Sequence, residues 1–303
     1  MRRSSTATAG WHETAEPGSR LGLELALLIS RMLGYRFMHG LLYPIAFYYC
    51  LVTPSLQRTA RPFFTRAQGR YRRRDLYWQV FRFAESIVDR IFAGLHGRGR
   101  FSLVRHDFDA VEGLAAEGRG GVFLGAHLGA LELSRKLNPT WVKTVPLSHQ
   151  SNRPRLLEIF GRSGSAAMTE EHLPLGEDMG SMLQARKHTS AGRFLGALGD
   201  RVLPGGPTMR LPFLGREAEF PVGPYRLAGA LKCPLVALFA IRVGERSYEL
   251  HARVLSEKVV LPRDDRDAAI RELLIRYVRE LERFCRMAPH QWYNFHDFWG
   301  ELD

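Results

Sequence analysis

The stretch GAHLGALE, residues 125–132, holds a histidine and a carboxylate that could act together as a base and its orienting acid. His127 and Glu132 are five positions apart, which on a single helix would separate them by roughly 140°. The two side chains can therefore meet only if His127 lies in a turn and Glu132 in the helix that follows. In that arrangement Glu132 would hold one ring nitrogen and leave the other as a general base. The pair alone is weak evidence, because this spacing also arises by chance and a lone histidine more often caps a helix or packs in a core.

A second candidate group follows the apolar run RFLGALG, residues 193–199. Asp200 and Arg201 come directly after this run, and Arg210 lies beyond a loop rich in glycine and proline. Guanidinium groups bind phosphate well, so Arg201, and less strongly Arg210, could hold an anionic group of a substrate. The alternatives are a strand-end ion pair between Asp200 and Arg201, and a solvated loop charge at Arg210.

The chain that must position these residues alternates short apolar runs with amphipathic stretches. The expected strands lie near FSLV, GVFLG, RFLGALG, PLVALFAIRV and YELHARV, and the expected helices span 75–95, 109–117, 153–160, 178–191, 224–232 and 265–286. This alternation predicts an α/β fold with a mixed central sheet covered by helices. In such sheets binding sites form at the carboxyl ends of strands, which is where His127 and Asp200 are expected.

The N-terminal region differs from the rest in composition. Residues 1–20 form a polar tail, and residues 21–56 are strongly apolar and aromatic, with no charged residue between His39 and Arg58, although Pro44 would kink a helix. We interpret 21–56 as a retained helical membrane anchor, 57–74 as an arginine-rich linker facing anionic lipid, and 75–303 as the catalytic domain. The alternative is a buried N-terminal helical hairpin beside a solvated basic loop.

The overall composition is that of a globular protein with an anionic partner. The 303 residues are 45% hydrophobic and carry a formal net charge of +12, which favours phospholipid headgroups, nucleic acid or an acidic carrier protein. The three cysteines, Cys50, Cys233 and Cys285, lack any CxxC spacing, which indicates reduced, packed thiols in a protein that faces the cytosol.

Taken in order, these blocks resemble the lysophospholipid acyltransferase superfamily of bacteria, nearest to the late lipid A lauroyl and myristoyl acyltransferases. The His-x4-Asp/Glu block of that family matches His127 and Glu132, and its second block matches Asp200, although Arg201 stands where the lipid A enzymes typically have Gln. Its third block matches PFLG at 212–215 and the turn at Pro221, Gly223 and Pro224. The ending WYNFHDFW, residues 292–299, is similar to predicted acyltransferases found with polyene or glycolipid biosynthesis.

The resemblance implies transfer of a fatty acyl group from an acyl thioester, on acyl carrier protein or coenzyme A, to a hydroxyl or amine of a lipid or glycolipid. His127 would be the base and Glu132 its orienter, with Asp200, Arg201, Arg210, Asn152 and Gly223 around the substrates. No metal and no redox cofactor is implied, since the thioester is a co-substrate. The implied location is the cytoplasmic face of the bacterial inner membrane, in contact with phospholipid and without nucleic acid.

Competing interpretations have less support in the sequence. GRSGSA, residues 161–166, lacks the last glycine of a GxSxG nucleophile elbow, and neither HExxH nor any His/Cys cluster in the sequence offers a metal cage, so no metal site is expected. The C-terminal aromatic residues could stack on bases, but a packed clasp or interfacial belt is favoured. The remaining alternative of a different class is a noncatalytic basic protein that binds membranes or nucleic acid.

Overall fold

The computed structural model describes residues 20–137, 143–148, 173–174, 179–202 and 205–301. Its helices are α1 Arg20–Val52, α2 Pro54–Gln68, α3 Arg73–His96, α4 Asp109–Ala116, α5 Leu131–Leu137, α6 Met179–Ser190, α7 Gly223–Leu231 and α8 Arg266–Met287. Its strands are β1 Ser102–His106, β2 Val122–Gly125, β3 Thr144–Ser148, β4 Leu173–Pro174, β5 Phe194–Leu198, β6 Thr208–Phe213, β7 Arg216–Pro221, β8 Leu235–Gly244 and β9 Ser247–Ser256. The helix expected at 153–160 lies outside the described residues.

Seven strands form one sheet in the order β1-β9-β8-β2-β5-β3-β4, parallel except for the antiparallel pair β8 and β9. The central strand β2 is buried along its whole length, as its continuous apolar sequence requires for a strand covered on both faces. Helices flank this sheet, so the predicted α/β class with a mixed sheet is confirmed.

Strands β6 and β7 form a separate two-stranded sheet and were not among the strands expected from the sequence. The turn between them uses Leu214 and Gly215, both with positive φ, at 51° and 82°. Two positive φ values match the primed turns that suit the twist of a two-residue hairpin. Phe213 at the turn is fully buried against the C-terminal aromatic residues, which ties the hairpin to the core.

The N-terminal helices pack on the α/β domain through an apolar stripe and a buried ionic network. Tyr35, Met38, Leu42 and Ala46 of α1 recur every three or four residues and are buried. Glu85 of α3 is fully buried. Its carboxylate oxygens lie 2.6 Å from a nitrogen of His39, 2.6 Å from a nitrogen of Arg82 and 2.9 Å from a nitrogen of Arg242 in β8. Two guanidinium groups and one imidazole thus compensate the cost of burying this carboxylate.

The basic segment at 57–74 is largely helical rather than an extended linker. Helix α2 buries Ala60, Phe63, Phe64 and Ala67, and Phe63 contacts Trp292 with ring centroids 4.7 Å apart. Arg58, Arg61, Arg70, Arg72, Arg73 and Arg74 remain exposed. Among the described residues no helix is both long and apolar enough to cross a membrane, so the expected anchor at 21–56 is unconfirmed.

Candidate active site

Strands β2 and β5 bring His127 and Asp200 together. The two strands are parallel neighbours, with Gly125 opposite Leu198. His127 follows the end of β2 by two residues, and Asp200 follows the end of β5 by two residues. Equal offsets from paired strand ends place both side chains at the same carboxyl edge of the sheet, where α/β folds form their sites.

Asp200 holds both the backbone and the ring of His127. Its Oδ2 accepts the backbone N–H of His127 at 2.8 Å, and its Oδ1 lies 2.9 Å from Nδ1 of the imidazole. The indole N–H of Trp292 donates to the same Oδ2 at 3.1 Å. The side chain of Asp200 is only 2% exposed, whereas that of His127 is 27% exposed, so the imidazole lies between the buried carboxylate and solvent.

The charge state of Asp200 fixes the tautomer of His127. Burial alone would raise the pKa of Asp200, but the charge of His127, its two hydrogen bonds and the charge of Arg201 outweigh it and lower the pKa to about 2. An ionised carboxylate only accepts hydrogen bonds, so Nδ1 of a neutral His127 must carry the hydrogen. Nε2 then keeps its lone pair, which is the state that a general base requires.

Glu132 does not take the orienting position that the sequence suggested. Helix α5 begins at Leu131, so His127 lies in the preceding turn as expected, but the Glu132 side chain is 58% exposed and pairs with Arg90 of α3. In place of the predicted hydrogen bond between Glu132 and His127, Asp200 accepts the hydrogen bond of the imidazole. The physical reason is that the paired strand ends bring Asp200 to Nδ1, while the first turn of α5 directs Glu132 toward α3.

The turn that carries His127 is held by a close backbone approach and by the C-terminal segment. Gly129 has φ 65°, and a Cβ there would lie 1.7 Å from the carbonyl oxygen of Ala240, so only glycine fits. The carbonyl of His127 accepts the backbone N–H of Tyr293 at 2.7 Å, and that of Gln291 accepts Gly129 N–H at 2.7 Å. Residues 291–293 thus clamp the histidine turn from a position far away in the sequence.

Comparison with known proteins identifies the family to which the chain is similar. Residues 91–301 match the model of the bacterial lipid A biosynthesis acyltransferase family. The chain belongs to this family. It is an acyltransferase that acts on lipid substrates.

The chain is similar to the crystal structure of the 1-acyl-sn-glycerophosphate (LPA) acyltransferase PlsC from Thermotoga maritima, with 12% identity, coverage of 82% of this chain and 98% of that one, and a TM-score of 0.36. None of the curated proteins compared with the chain matches it.

In this lipid A acyltransferase family member, the C-terminal segment also supplies a histidine that sequence reasoning missed. The pKa of His296 is lowered to about 4, first by burial and then by the positive charge of Arg201, with Asp200 opposing. His127 also lowers the pKa of His296, so the two imidazoles lie within electrostatic reach. The signal available in the sequence was the polar residues Asn294, His296 and Asp297 among the aromatic residues of the ending.

Arg201 lies in the same part of the acyltransferase as the predicted base. It is partly buried, and burial lowers the pKa of its guanidinium while the charge of Asp200 raises it. A guanidinium keeps its charge even after such a shift, because its ordinary pKa is above 12. The site therefore combines the imidazole of His127 with an ionised carboxylate and a cation.

The remaining predicted substrate-binding residues differ in their placement. Arg210 lies in β6, where its side chain is 71% exposed and its Nε is 3.1 Å from Glu219 on β7, so the alternative of a solvated charge describes it. Gly223 begins α7 and is exposed. Asn152 lies outside the described residues. The C-terminal aromatic residues form the expected clasp, since Trp292 is fully buried and Tyr293 and Phe298 are nearly so.

Proposed function

We propose that this acyltransferase moves a fatty acyl group from an acyl thioester to a hydroxyl or amine of a lipid or glycolipid acceptor. The observation that carries the proposal is the contact between Asp200 and Nδ1 of His127, because it leaves Nε2 as a base at the partly exposed side of the site. The donor is acyl carrier protein or acyl-coenzyme A. The net charge of +12 favours the acidic carrier protein.

The reaction follows from the position of the proton on His127. Nε2 takes the proton from the acceptor hydroxyl as its oxygen attacks the thioester carbonyl carbon. The negative charge that develops on the carbonyl oxygen needs a cation or hydrogen-bond donors, and Arg201 is the cation nearest in the chain to Asp200. The C–S bond then breaks, and the leaving thiolate takes the proton from the imidazolium. The acyl group passes directly between substrates, without an acyl-enzyme.

Helix α1 and the arginines that follow support a membrane location. The outer face of α1 exposes large apolar side chains, with Phe47 60% and Leu51 65% exposed. Six exposed arginines lie at 58–74, close along the chain to this face. An apolar helix face beside clustered cations is the pattern by which proteins bind the surface of anionic bilayers. We infer that the enzyme works at the cytoplasmic face of the inner membrane.

The activity is tested with purified full-length protein, acyl thioester and extracted bacterial lipid. Thiol release, followed with a colorimetric thiol reagent, should require both the protein and the lipid acceptor, and mass spectrometry should find the acylated lipid. Acyl carrier protein and coenzyme A thioesters of the same chain length are compared in parallel. Absence of thiol release with every acceptor and both donors would contradict the proposal.

The membrane location is tested by flotation with vesicles of neutral lipid alone or with about 30% anionic lipid. The full-length protein should float with anionic vesicles, and the double variant Phe47→Ser, Leu51→Ser should float less. The control Val243→Ser, Val260→Ser removes apolar side chains that are 54% and 60% exposed elsewhere and should float as the parent does. Equal flotation of both double variants would place the membrane contact outside α1.

A further inference from the structure

Strand pairing brings two histidines and a glutamate to one face of the sheet, away from His127. In the parallel pair β1 and β9, His106 lies opposite His251, and Glu249 is two residues before His251 on β9. Because side chains alternate along a strand, residues two apart share a face. This cluster could not be predicted from the sequence, since 145 residues separate the two histidines.

The spacing of the three side chains suits a single metal ion. Oε2 of Glu249 lies 3.2 Å from Nε2 of His251 and 3.6 Å from Nε2 of His106. All three ligand atoms lie within 4.8 Å of one another. Around a tetrahedral zinc ion, with metal–ligand distances near 2.1 Å, ligand atoms are about 3.4 Å apart. The two imidazoles are nearly parallel with centroids 4.4 Å apart, and His106 is 40% exposed, which leaves its ring room to turn toward a shared ion.

Two further features next to these three side chains indicate a cation-binding site. Nε2 of His106 is inaccessible to solvent and has no hydrogen-bond partner among the described residues. The cluster also adjoins a cavity of about 600 Å³, lined by His106 and His251 together with the carboxylates of Asp107, Asp109 and Glu112. Glu112 is paired with Arg105, which leaves Asp107 and Asp109 to add negative potential.

We propose that His106, Glu249 and His251 bind one Zn²⁺ ion, with a fourth coordination position open toward this cavity. Two imidazoles, one carboxylate and one open position form a known zinc donor set. The strand β1 lies at the edge of the sheet, and two strands, β9 and β8, separate it from β2. The ion therefore ties the edge strand to β9 and takes no part in acyl transfer.

The test is a zinc titration of full-length protein that has been stripped with a chelator. Isothermal titration should show one strong site per chain, with Kd of about 1 µM or lower, and bound zinc should raise Tm. His106→Ala and Glu249→Gln should each weaken binding at least about 30-fold and abolish the rise in Tm. In a parallel titration, Co²⁺ should give the intense visible absorption of a tetrahedral site.

Controls separate this site from other histidines and from the catalytic centre. His96→Ala removes an exposed histidine at the end of α3 and should leave the affinity for zinc unchanged. Circular dichroism and Tm without zinc establish that each variant is folded, and Asp109→Asn is a milder second variant at the cavity. Absence of saturable zinc binding by the parent, or parental affinity in folded His106→Ala and Glu249→Gln, would overturn the proposal. Thioester turnover by His106→Ala should match the parent, so failure here is distinguishable from failure of the proposed function.

Discussion

The two carboxylates considered as partners of His127, Asp200 and Glu132, have opposite surroundings. Asp200 is buried, accepts three hydrogen bonds and has a pKa of about 2, whereas Glu132 is 58% exposed and is paired with Arg90. A buried carboxylate with fixed donors cannot move without losing them, but an exposed ion pair is weak and easily exchanged with water. The partner of the imidazole is therefore selected by the pairing of β2 with β5 and not by nearness in sequence.

The largest expected effect comes from removing the imidazole of His127, which Asp200 holds and Glu132 does not contact. His127→Ala should lower acyl transfer at least about 1,000-fold, because it removes both the base and the acid for the leaving thiol. Its Tm and vesicle binding should stay close to those of the parent, since the His127 side chain is partly exposed. Near-parental turnover by the folded variant, measured by thiol release, would end the case for this site.

Asp200→Asn tests the role of Asp200, the buried hydrogen-bond partner of His127. The amide keeps the shape of the carboxylate but carries an NH2 group that must face a donor, and it no longer stabilises an imidazolium. We expect turnover to fall about 100-fold, mainly in kcat. A decrease in turnover of less than fivefold in a folded protein would show that Asp200 is not the orienting group. The control is Asp109→Asn, which removes a carboxylate at the start of α4, outside the proposed active site.

Trp292→Phe weakens the hold on Asp200 while leaving its charge. The variant loses the indole N–H bond at 3.1 Å and part of a fully buried ring. Turnover should fall about three- to tenfold, and unfolding free energy should drop by about 1–3 kcal/mol. The pH profile of kcat distinguishes the two losses, because a weaker hold on Asp200 shifts the profile and a packing defect alone does not. An unshifted profile would assign Trp292 a structural role only.

Most of the fold could be predicted from the sequence because its helices and strands follow local patterns. The helix at 75–95 was recognisable from apolar residues every three or four positions, and the observed helix α3 spans Arg73–His96. The helix expected at 265–286 likewise corresponds to α8, Arg266–Met287. Such periodicity is a property of adjacent residues, so it is visible without knowledge of the tertiary structure.

Contacts between distant segments were beyond that reasoning. Asp200 was placed at a strand end from the sequence, but its pairing with His127 depends on β5 lying beside β2, which strand order alone decides. The clamp at residues 291–293 and the cluster at His106 and His251 are likewise products of pairing across more than 140 residues. The helical state of 57–68 was missed because its arginines suggested a solvated linker, while four buried small and aromatic residues hold it in place.

His296 should also make the stability of the protein depend on pH. The pKa of His296 is about 4 in the folded protein and about 6.5 when unfolded, so between these values the unfolded chain binds more protons. Stability is therefore complete above pH 6.5 and falls as pH drops toward 4. Between pH 7.5 and 5.0 this residue should cost at most about 2 kcal/mol, measured by urea unfolding. His296→Gln should lose that part of the pH dependence, and an unchanged dependence would show that His296 is not held neutral beside Arg201.

The smallest effect is expected at the outer partner, in Glu132→Gln. The substitution keeps the shape of the side chain and removes the charge that pairs with Arg90. An exposed ion pair contributes about 0–1 kcal/mol, so stability should change little, and turnover should stay within about threefold of the parent. A fall as large as that of Asp200→Asn would contradict the comparison, because it would mean that Glu132 leaves Arg90 and reaches the imidazole during turnover. Arg90→Gln separates these outcomes: it frees Glu132 and should raise turnover if Glu132 is the working partner, but leave it unchanged if Asp200 is.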